Sequence, residues 1–218
     1  TKIIYLANPD NPTGTYFTKK EFDDFMKFVP ERVLIILDEA YYEYAQGMND
    51  YPDSMLYRYD NVITLRTFSK VYGLAGLRVG YGFAHGELIS NLMKVKLPFE
   101  PSVLAQEAAL GALDDDDFLL YSLELNKREK KNLIDFLSDM KIPHINSATN
   151  FITIIFDNDN QNKSFCSLLL KEGIIVRNLE AFGLGNCCRV TVGTKEENTV
   201  FRDTCSKVLN EMDKILQE

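Results

Sequence analysis

The chain has 218 residues, of which 45% are hydrophobic, and it carries a net charge of -8 with a pI near 4.9. This length and composition are typical of a globular protein with one large or two small cores, and they argue against a disordered or fibrous chain. The acidic balance argues against a nucleic-acid partner, because proteins that bind phosphate backbones concentrate Lys and Arg on one face. No apolar run reaches the roughly 20 residues that span a bilayer. We therefore expect a soluble protein with no membrane association.

Neither the cysteines nor the acidic run at residues 114–117 predicts a metal site. Four cysteines and two histidines show no C-x-x-C pair and no zinc spacing, which fits a reduced compartment. The adjacent Cys187 and Cys188 could bridge only with strain, so we expect one of them to pack inward. The acidic run favours the first turn of a helix, where carboxylates complement the helix dipole, over a cation site.

The first half of the chain predicts an α/β fold. Short β-rich runs at residues 3–7, 33–37, 62–65 and 79–83 alternate with helical or loop segments, as in βαβ units around a mostly parallel sheet. Thr18 and Glu21 form a capping box that opens a helix through about Phe28.

Helices dominate from Pro98 onward. We expect one at about 102–113 and a long amphipathic one at about 116–140 that could bridge two domains. Strands near 151–156, 174–177 and 189–192 follow, with helices near 163–172 and 196–216. The pattern predicts a large domain at residues 1–113 and a smaller α+β domain at residues 114–218.

Three loops follow predicted strands at the sheet edge where open α/β folds bind ligands. In the first loop, residues 8–14, two prolines and a glycine would fix a turn and aim the Asn11 amide, although an ordinary turn is the alternative. In the second, Asp38 ends a buried strand, where a carboxylate is costly unless it is paired, and Tyr41 could reach the same space. Asp38 could also merely cap the following turn.

The third loop, residues 67–82, carries the groups of an amine-and-phosphate site. Thr67 and Ser69 supply hydroxyls, Lys70 an amine and Arg78 a forked cation. The alternative for Lys70 is a solvated surface lysine, which is the commonest fate of any lysine.

These motifs together resemble fold-type-I pyridoxal-phosphate aminotransferases. The resemblance is carried, in order, by 11-NPTG-14, 38-DEAY-41 and 69-SK-70, with Arg78 eight residues later. The stretches at 66–70, 73–80, 147–151 and 189–194 look most like histidinol-phosphate aminotransferases. The resemblance covers essentially the whole chain.

The resemblance implies pyridoxal 5'-phosphate as the cofactor, with Lys70 holding it as a Schiff base and moving the proton from the substrate Cα. It also implies which residues surround the cofactor: Asp38 at the ring nitrogen, Asn11 and Tyr41 at the phenolic oxygen, and Thr67, Ser69 and Arg78 at the phosphate.

The same resemblance assigns the substrate contacts to the smaller domain. Arg189 would bind the α-carboxylate of glutamate, and Arg177 the phosphate of histidinol phosphate, whereas a surface ion pair is the alternative for either. The resemblance also places Asn150 in the same cleft. His85 receives no role, and we expect it in a surface turn.

The implied function is amino transfer between histidinol phosphate and 2-oxoglutarate, in histidine biosynthesis, by a cytoplasmic homodimer. A related enzyme is the first alternative, either an aromatic aminotransferase or a threonine-phosphate decarboxylase. A catalytically inert fragment is the second.

The chain enters a predicted buried strand directly from Thr1, which favours an N-terminally truncated large domain. The resemblance implies four further features that match no residues of this chain. They are an N-terminal arm, a helix start at the cofactor phosphate, an aromatic residue that stacks on the ring, and a tyrosine contributed by the other subunit of the dimer. We therefore expect these 218 residues alone to bind the cofactor poorly and to turn over little or nothing.

Overall fold

The computed structural model describes residues 1–217, with side chains through Met212. Contacts within the chain divide it into two compact units. The first comprises residues 1–11 and 15–123, and the second comprises residues 12–14 and the chain from 124 onward. The predicted domain boundary between residues 113 and 114 stays a prediction.

The first unit is built around a four-stranded sheet in the order β1-β2-β3-β4. The first three strands are parallel and β4 pairs antiparallel to β3, which confirms the predicted α/β class with a mostly parallel sheet. The strands are β1 (Ile3–Ala7), β2 (Leu34–Asp38), β3 (Val62–Thr67) and β4 (Gly80–Ala84). The helices are α1 (Lys19–Met26), α2 (Tyr42–Ala45), α3 (Gly86–Val95), α4 (Val103–Leu113) and the first part of α5 (Asp116–Asp139).

Helix α1 begins at the predicted capping box and covers one face of this sheet. The Glu21 amide donates to Thr18 Oγ1 at 3.3 Å, and the Thr18 amide donates to Glu21 Oε2 at 2.7 Å. The helix ends at Met26, two residues before the predicted end. Phe22 and Met26 pack into a buried core with apolar residues of and beside β2 and β3, namely Val33, Ile35, Leu37 and Val62.

The second unit is an antiparallel sheet in the order β5-β6-β8-β7, packed against helices. Its strands are β5 (His144–Ile145), β6 (Phe151–Ile155), β7 (Arg177–Asn178) and β8 (Cys187–Thr191). Its helices are the remainder of α5, α6 (Asp159–Lys171) and α7 (Lys195–Gln217). The core is formed by apolar residues of β6 and β8 with Leu133 and Leu137 of α5, Phe165 and Leu169 of α6, and Phe201, Cys205, Val208 and Met212 of α7.

The predicted strand at residues 174–177 is wrong over most of its length. Only Arg177 and Asn178 pair with β8, and residues 174–176 follow the turn at residues 172 and 173 that ends α6. There the Ile174 amide donates to the Leu169 carbonyl at 2.9 Å. Ile174 and Val176 pack on the core without joining the sheet ladder, while Ile175 is exposed.

Three further details differ from the sequence predictions. Helix α3 was not predicted, and His85 lies at its N-cap, where the Glu87 amide donates to the imidazole at 3.4 Å. Helix α6 begins at Asp159, four residues before the predicted start. Cys187 and Cys188 are both buried, whereas the sequence predicted one inward side chain; of the two, Cys188 belongs to the core of the second unit.

The acidic run behaves as predicted, since Asp116 and Asp117 lie in the first turn of α5. Over the described part of the chain, no helix is both long and apolar enough to cross a membrane. The same residues contain no group of three or more His, Cys, Asp or Glu side chains arranged to hold a metal ion.

Replacing Phe22 with Ala should destabilise the first unit by about 3–5 kcal/mol, because a buried ring is lost and a cavity remains. Phe22 is 2% exposed and stacks on Tyr57 at 4.8 Å between ring centroids. The measurement is urea unfolding followed by circular dichroism. The control is Phe28→Ala just beyond the same helix, where the ring is 85% exposed, and it should shift stability by no more than about 0.5 kcal/mol. Equal effects of the two variants would contradict the packing described here.

Candidate active site

The three parallel strands of the first unit end at a common edge. Ala7 pairs in register with Asp38, and Asp38 pairs with Leu65. Backbone bonds continue this ladder beyond the strands, since the Asn8 amide donates to the Asp38 carbonyl and the Glu39 amide to the Leu65 carbonyl, each at 2.9 Å. The three loops that carry the predicted cofactor residues therefore leave the sheet side by side.

Asp38 is the last residue of β2 and is half-buried. Its Oδ1 accepts a hydrogen bond from the Ala40 amide at 3.0 Å, so the carboxylate does cap the following turn. Its Oδ2 accepts from the Tyr5 hydroxyl. Burial and this hydrogen bond to Asp38 raise the pKa of Tyr5, which keeps the phenol a donor. The carboxylate is thus held from two sides.

Lys70 lies three residues after β3, and its amine approaches Tyr41. The Lys70 Nζ is 5.0 Å from the centroid of the Tyr41 ring, and Tyr41 is buried. The Lys70 carbonyl accepts from the Gly73 amide at 2.9 Å, which closes the turn. Thr67 Oγ1 accepts from the Ser69 amide at 3.1 Å, which fixes the start of the same turn.

Arg78 is exposed and follows a short 3-10 turn at residues 75–77. Its backbone is left-handed, with φ of 53°, and its guanidinium donates to the Ala75 carbonyl at 2.8 Å. The next residue, Val79, accepts from the Phe68 amide at 3.2 Å. The turn that carries Arg78 is therefore tied to the residue directly before Ser69.

Asn11 lies exposed in the loop that Asn8 closes. The buried Asn8 side chain accepts from the Phe17 amide at 2.9 Å and donates to the Phe17 carbonyl at 3.3 Å. Sequence reasoning assigned the rigidity of this loop to its prolines and glycine and missed Asn8. The available signal was an amide side chain directly after a strand, where it can pair with backbone groups.

The segment Pro12–Gly14 belongs to the second unit, although it directly follows Asn11. The Thr153 hydroxyl donates to the Pro12 carbonyl at 2.6 Å, and the Ala148 amide donates to the Gly14 carbonyl at 2.8 Å. Gly14 has φ of 77°, and a Cβ there would lie 2.2 Å from Ser147 Oγ. Only glycine fits this close approach.

Lys130 of α5 holds the segment 147–149, which contacts Gly14, and sequence reasoning missed this residue. Its amine donates to the carbonyls of Ser147 and Thr149, each at 2.8 Å. Burial lowers the pKa of Lys130 to about 8, and even a neutral amine has the two N–H groups that these carbonyls need. The half-buried Asn150 follows directly, and its carbonyl accepts from the Val192 amide at 2.8 Å.

The two predicted substrate arginines lie opposite each other on neighbouring strands of the second unit. Arg177 of β7 pairs in antiparallel register with Arg189 of β8, so both side chains leave the same face of the sheet. The Arg189 guanidinium lies 4.8 Å from the Phe151 ring centroid, and that of Arg177 lies 5.9 Å from that of Phe182. Two adjacent cations on one face favour an anionic ligand.

The two units divide the predicted residues between them. The first unit brings a carboxylate, a phenol, hydroxyls and an amine to one sheet edge, at Asp38, Tyr41, Thr67, Ser69 and Lys70, with Arg78 and Asn11 in adjoining loops. The second unit carries Asn150, Arg177 and Arg189.

Comparison with known proteins identifies the class. The family model for aminotransferase class I and II matches residues 1–204. The chain belongs to this family, whose cofactor is pyridoxal 5'-phosphate.

Among individual relatives, the chain is similar to histidinol-phosphate aminotransferases. It is 44% identical to histidinol-phosphate aminotransferase 2 of Carboxydothermus hydrogenoformans and 45% identical to histidinol-phosphate aminotransferase of Bacillus velezensis, over 96% of this chain in both cases. The structure of the Sinorhizobium meliloti histidinol-phosphate aminotransferase in complex with pyridoxal-5'-phosphate matches with a TM-score of 0.89 and 30% identity over 97% of this chain. The chain spans 58% of the length of each of these three proteins.

The donor chemistry of the sheet edge fits this cofactor. An aldehyde needs an amine, a pyridine nitrogen needs an acidic partner, and a phosphate needs hydroxyl and guanidinium donors. The edge and its adjoining loops offer Lys70, Asp38, Thr67, Ser69 and Arg78 for these tasks.

Lys130 should make stability rise with pH in alkaline solution. Its pKa is about 8 in the folded chain against an ordinary 10.5, so the unfolded chain binds more protons between these values and unfolding becomes less favourable as pH rises. We expect a contribution of roughly 1–3 kcal/mol between about pH 8 and 10.5 that Lys130→Met lacks. Urea unfolding across this range measures it. Lys131→Met, which removes an exposed amine beside Asp135, should keep the profile of the unmodified chain, and an unchanged profile in Lys130→Met would contradict the assignment.

Proposed function

We propose that the protein containing this chain transfers an amino group between histidinol phosphate and 2-oxoglutarate, with pyridoxal 5'-phosphate attached at Lys70. The observation that carries the proposal is the meeting of amine, phenol and carboxylate segments at one sheet edge. There the Lys70 amine lies 5.0 Å from the centroid of the Tyr41 ring, and Tyr41 itself lies three residues after Asp38. The names of the relatives, at 44–45% identity, support the substrate.

The bound cofactor supplies a ring that accepts electrons when the substrate Cα–H bond breaks. Asp38 would hold a proton at the ring nitrogen, because a carboxylate favours the charged form of a neighbouring base. Asn11 and Tyr41 would donate to the phenolic oxygen, and Thr67, Ser69 and Arg78 to the phosphate. The Lys70 amine would take the proton from Cα and return it to the cofactor carbon, as base and then acid.

The two adjacent arginines favour substrates that carry anionic groups, namely a carboxylate and a phosphate. Arg189 would bind the α-carboxylate of glutamate in a bidentate manner, and Arg177 would bind the phosphate of histidinol phosphate. Both guanidinium groups start from one face of the β7–β8 pair. Asn150 would also contact the substrate. It directly precedes β6, and the carbonyl of its neighbour Thr149 is bonded by Lys130.

A related enzyme is the second candidate. An aromatic aminotransferase of Pyrococcus horikoshii matches this chain with a TM-score of 0.81 and 25% identity. A threonine-phosphate decarboxylase would use the same phosphate-binding arginine. The names of the curated relatives favour the first candidate, and Arg177, as a proposed phosphate-binding residue, favours it over an aromatic aminotransferase. We further propose that the whole protein is a homodimer, and that the 218 residues alone turn over little or nothing.

Attachment of the cofactor at Lys70 can be tested in the whole protein that contains this chain. Incubation with pyridoxal 5'-phosphate, reduction with borohydride and peptide mass spectrometry should place a stable adduct on Lys70. Lys70→Ala should remove the adduct together with the visible absorption band. The control is Lys20→Ala, which removes an exposed amine on α1 and should leave the adduct at Lys70 in place. Labelling spread over exposed lysines, unchanged in Lys70→Ala, would contradict the proposal and favour an inert module.

The substrate assignment can be tested in the whole protein by mixing it separately with histidinol phosphate, phenylalanine and glutamate and following the cofactor spectrum. Arg177→Met should weaken the response to histidinol phosphate by about 30- to 150-fold, and the response to glutamate less, because one charge-assisted hydrogen-bond pair contributes about 2–3 kcal/mol. Arg189→Met should weaken the response to glutamate at least as strongly. Lys163→Met, which removes an exposed cation paired with Glu180 in the same unit, is the control and should change neither. A strong response to phenylalanine and none to histidinol phosphate would shift the assignment to an aromatic aminotransferase.

A further inference from the structure

Glu39 and Arg66 form a buried ion pair directly behind the proposed cofactor site. Arg66 Nε donates to Glu39 Oε2 at 2.9 Å, and the second guanidinium contact to the same oxygen is 2.8 Å. The Glu39 side chain is fully buried, and that of Arg66 is 5% exposed. No role in the proposed chemistry uses either residue.

Each residue of this pair is adjacent in sequence to a proposed cofactor contact but lies on the opposite face of the sheet. Glu39 follows Asp38, and Arg66 precedes Thr67. Successive side chains of a strand point to opposite faces of the sheet. Glu39 and Arg66 therefore share the face of the buried Leu37 and its core, whereas Asp38 and Thr67 share the other face.

The pair also fixes the segment that leads to Tyr41. The Arg66 guanidinium lies 3.3 Å from the centroid of the Tyr42 ring and 5.3 Å from that of Phe83. Tyr42 opens α2 and directly follows Tyr41, whose ring faces the Lys70 amine. One guanidinium thus touches both residue 39 and residue 42 while it belongs to β3, four residues before Lys70.

Stability alone does not explain such a pair. Taking two charges out of water costs several kcal/mol per ion, and apolar residues of similar volume often give equal or greater stability. Burial raises the pKa of Glu39 to about 7, although Ser54 and Arg66 act to lower it.

We propose that Glu39 and Arg66 are positioning residues for the cofactor site. This proposal rests on the proposed function. The hydrogen bond from Arg66 Nε and the ion pair with Glu39 set the end of β2 against the end of β3, and so hold the Asp38 carboxylate and the Lys70 amine at the spacing that one pyridine ring requires. An apolar pair would fill the same volume without fixing this geometry.

The test is made in the whole protein that contains this chain, and it compares the double variant Glu39→Leu, Arg66→Met with the unmodified protein and with Arg66→Lys. The double variant avoids the unpaired buried charge that a single truncation leaves. Hydrogen exchange of residues 38–42 and 66–70, measured without cofactor, reports the order of the two strand ends. The yield of the Lys70 adduct against cofactor concentration, and the pH midpoint of the bound cofactor's absorption band, report the placement of Lys70 and Asp38.

We expect the double variant to keep its denaturation midpoint, exchange these segments at least about tenfold faster, bind cofactor about ten- to a hundredfold more weakly and shift the pH midpoint of the band. Arg66→Lys, which keeps the charge but lacks the fork, should fall between. Ile35→Val, a mild change in the same buried face, is the control and should alter stability but neither exchange in these segments nor the band.

The proposal would be overturned if the double variant kept the hydrogen-exchange rates, the cofactor affinity and the pH midpoint of the band of the unmodified protein. The pair would then contribute only to core packing. The absence of a Lys70 adduct in the unmodified whole protein would instead overturn the proposed function. The exchange measurement would still decide whether the pair orders the strand ends.

Discussion

Parallel pairing of β1, β2 and β3 brings the segments that carry most of the proposed cofactor contacts to one edge of the sheet. In a parallel sheet all strands end at the same edge, so residues far apart in sequence leave it together. The register places Ala7, Asp38 and Leu65 in one row, and the backbone ladder continues through Asn8 and Glu39. A slip of one residue in β2 would move the Asp38 carboxylate to the opposite face and place that of Glu39 at the edge.

The loops beyond this edge are fixed by polar side chains more than by turn residues. Asn8 closes the first loop, Tyr5 and the Ala40 amide hold Asp38, and Thr67 bonds the Ser69 amide. In the second unit Lys130 performs a similar task for the carbonyls of residues 147 and 149. Each of these groups satisfies backbone or side-chain donors and acceptors that would otherwise be costly to bury.

Local patterns predicted most of the framework. The α/β class, the capping box at Thr18 and the acidic first turn of α5 were all readable, because each depends on neighbours in sequence. The strand at 174–177 was misjudged, since an apolar, β-branched run packs equally well on a core without pairing. The roles of Asn8, Arg66 and Lys130 depend on partners 9, 27 and 17 or 19 residues away. No periodicity in the sequence specifies such partners.

The path of residues 11–15 bears on how this molecule can be dissected. Residues 12–14 belong to the second unit although their neighbours in sequence belong to the first, so no single cut of the chain separates the two units. A shortened chain that began at Glu124 would leave behind the carbonyl acceptors of the Thr153 hydroxyl and the Ala148 amide, both buried. A soluble version of the later unit would therefore need a tripeptide supplied in trans, or polar groups of its own at these two positions.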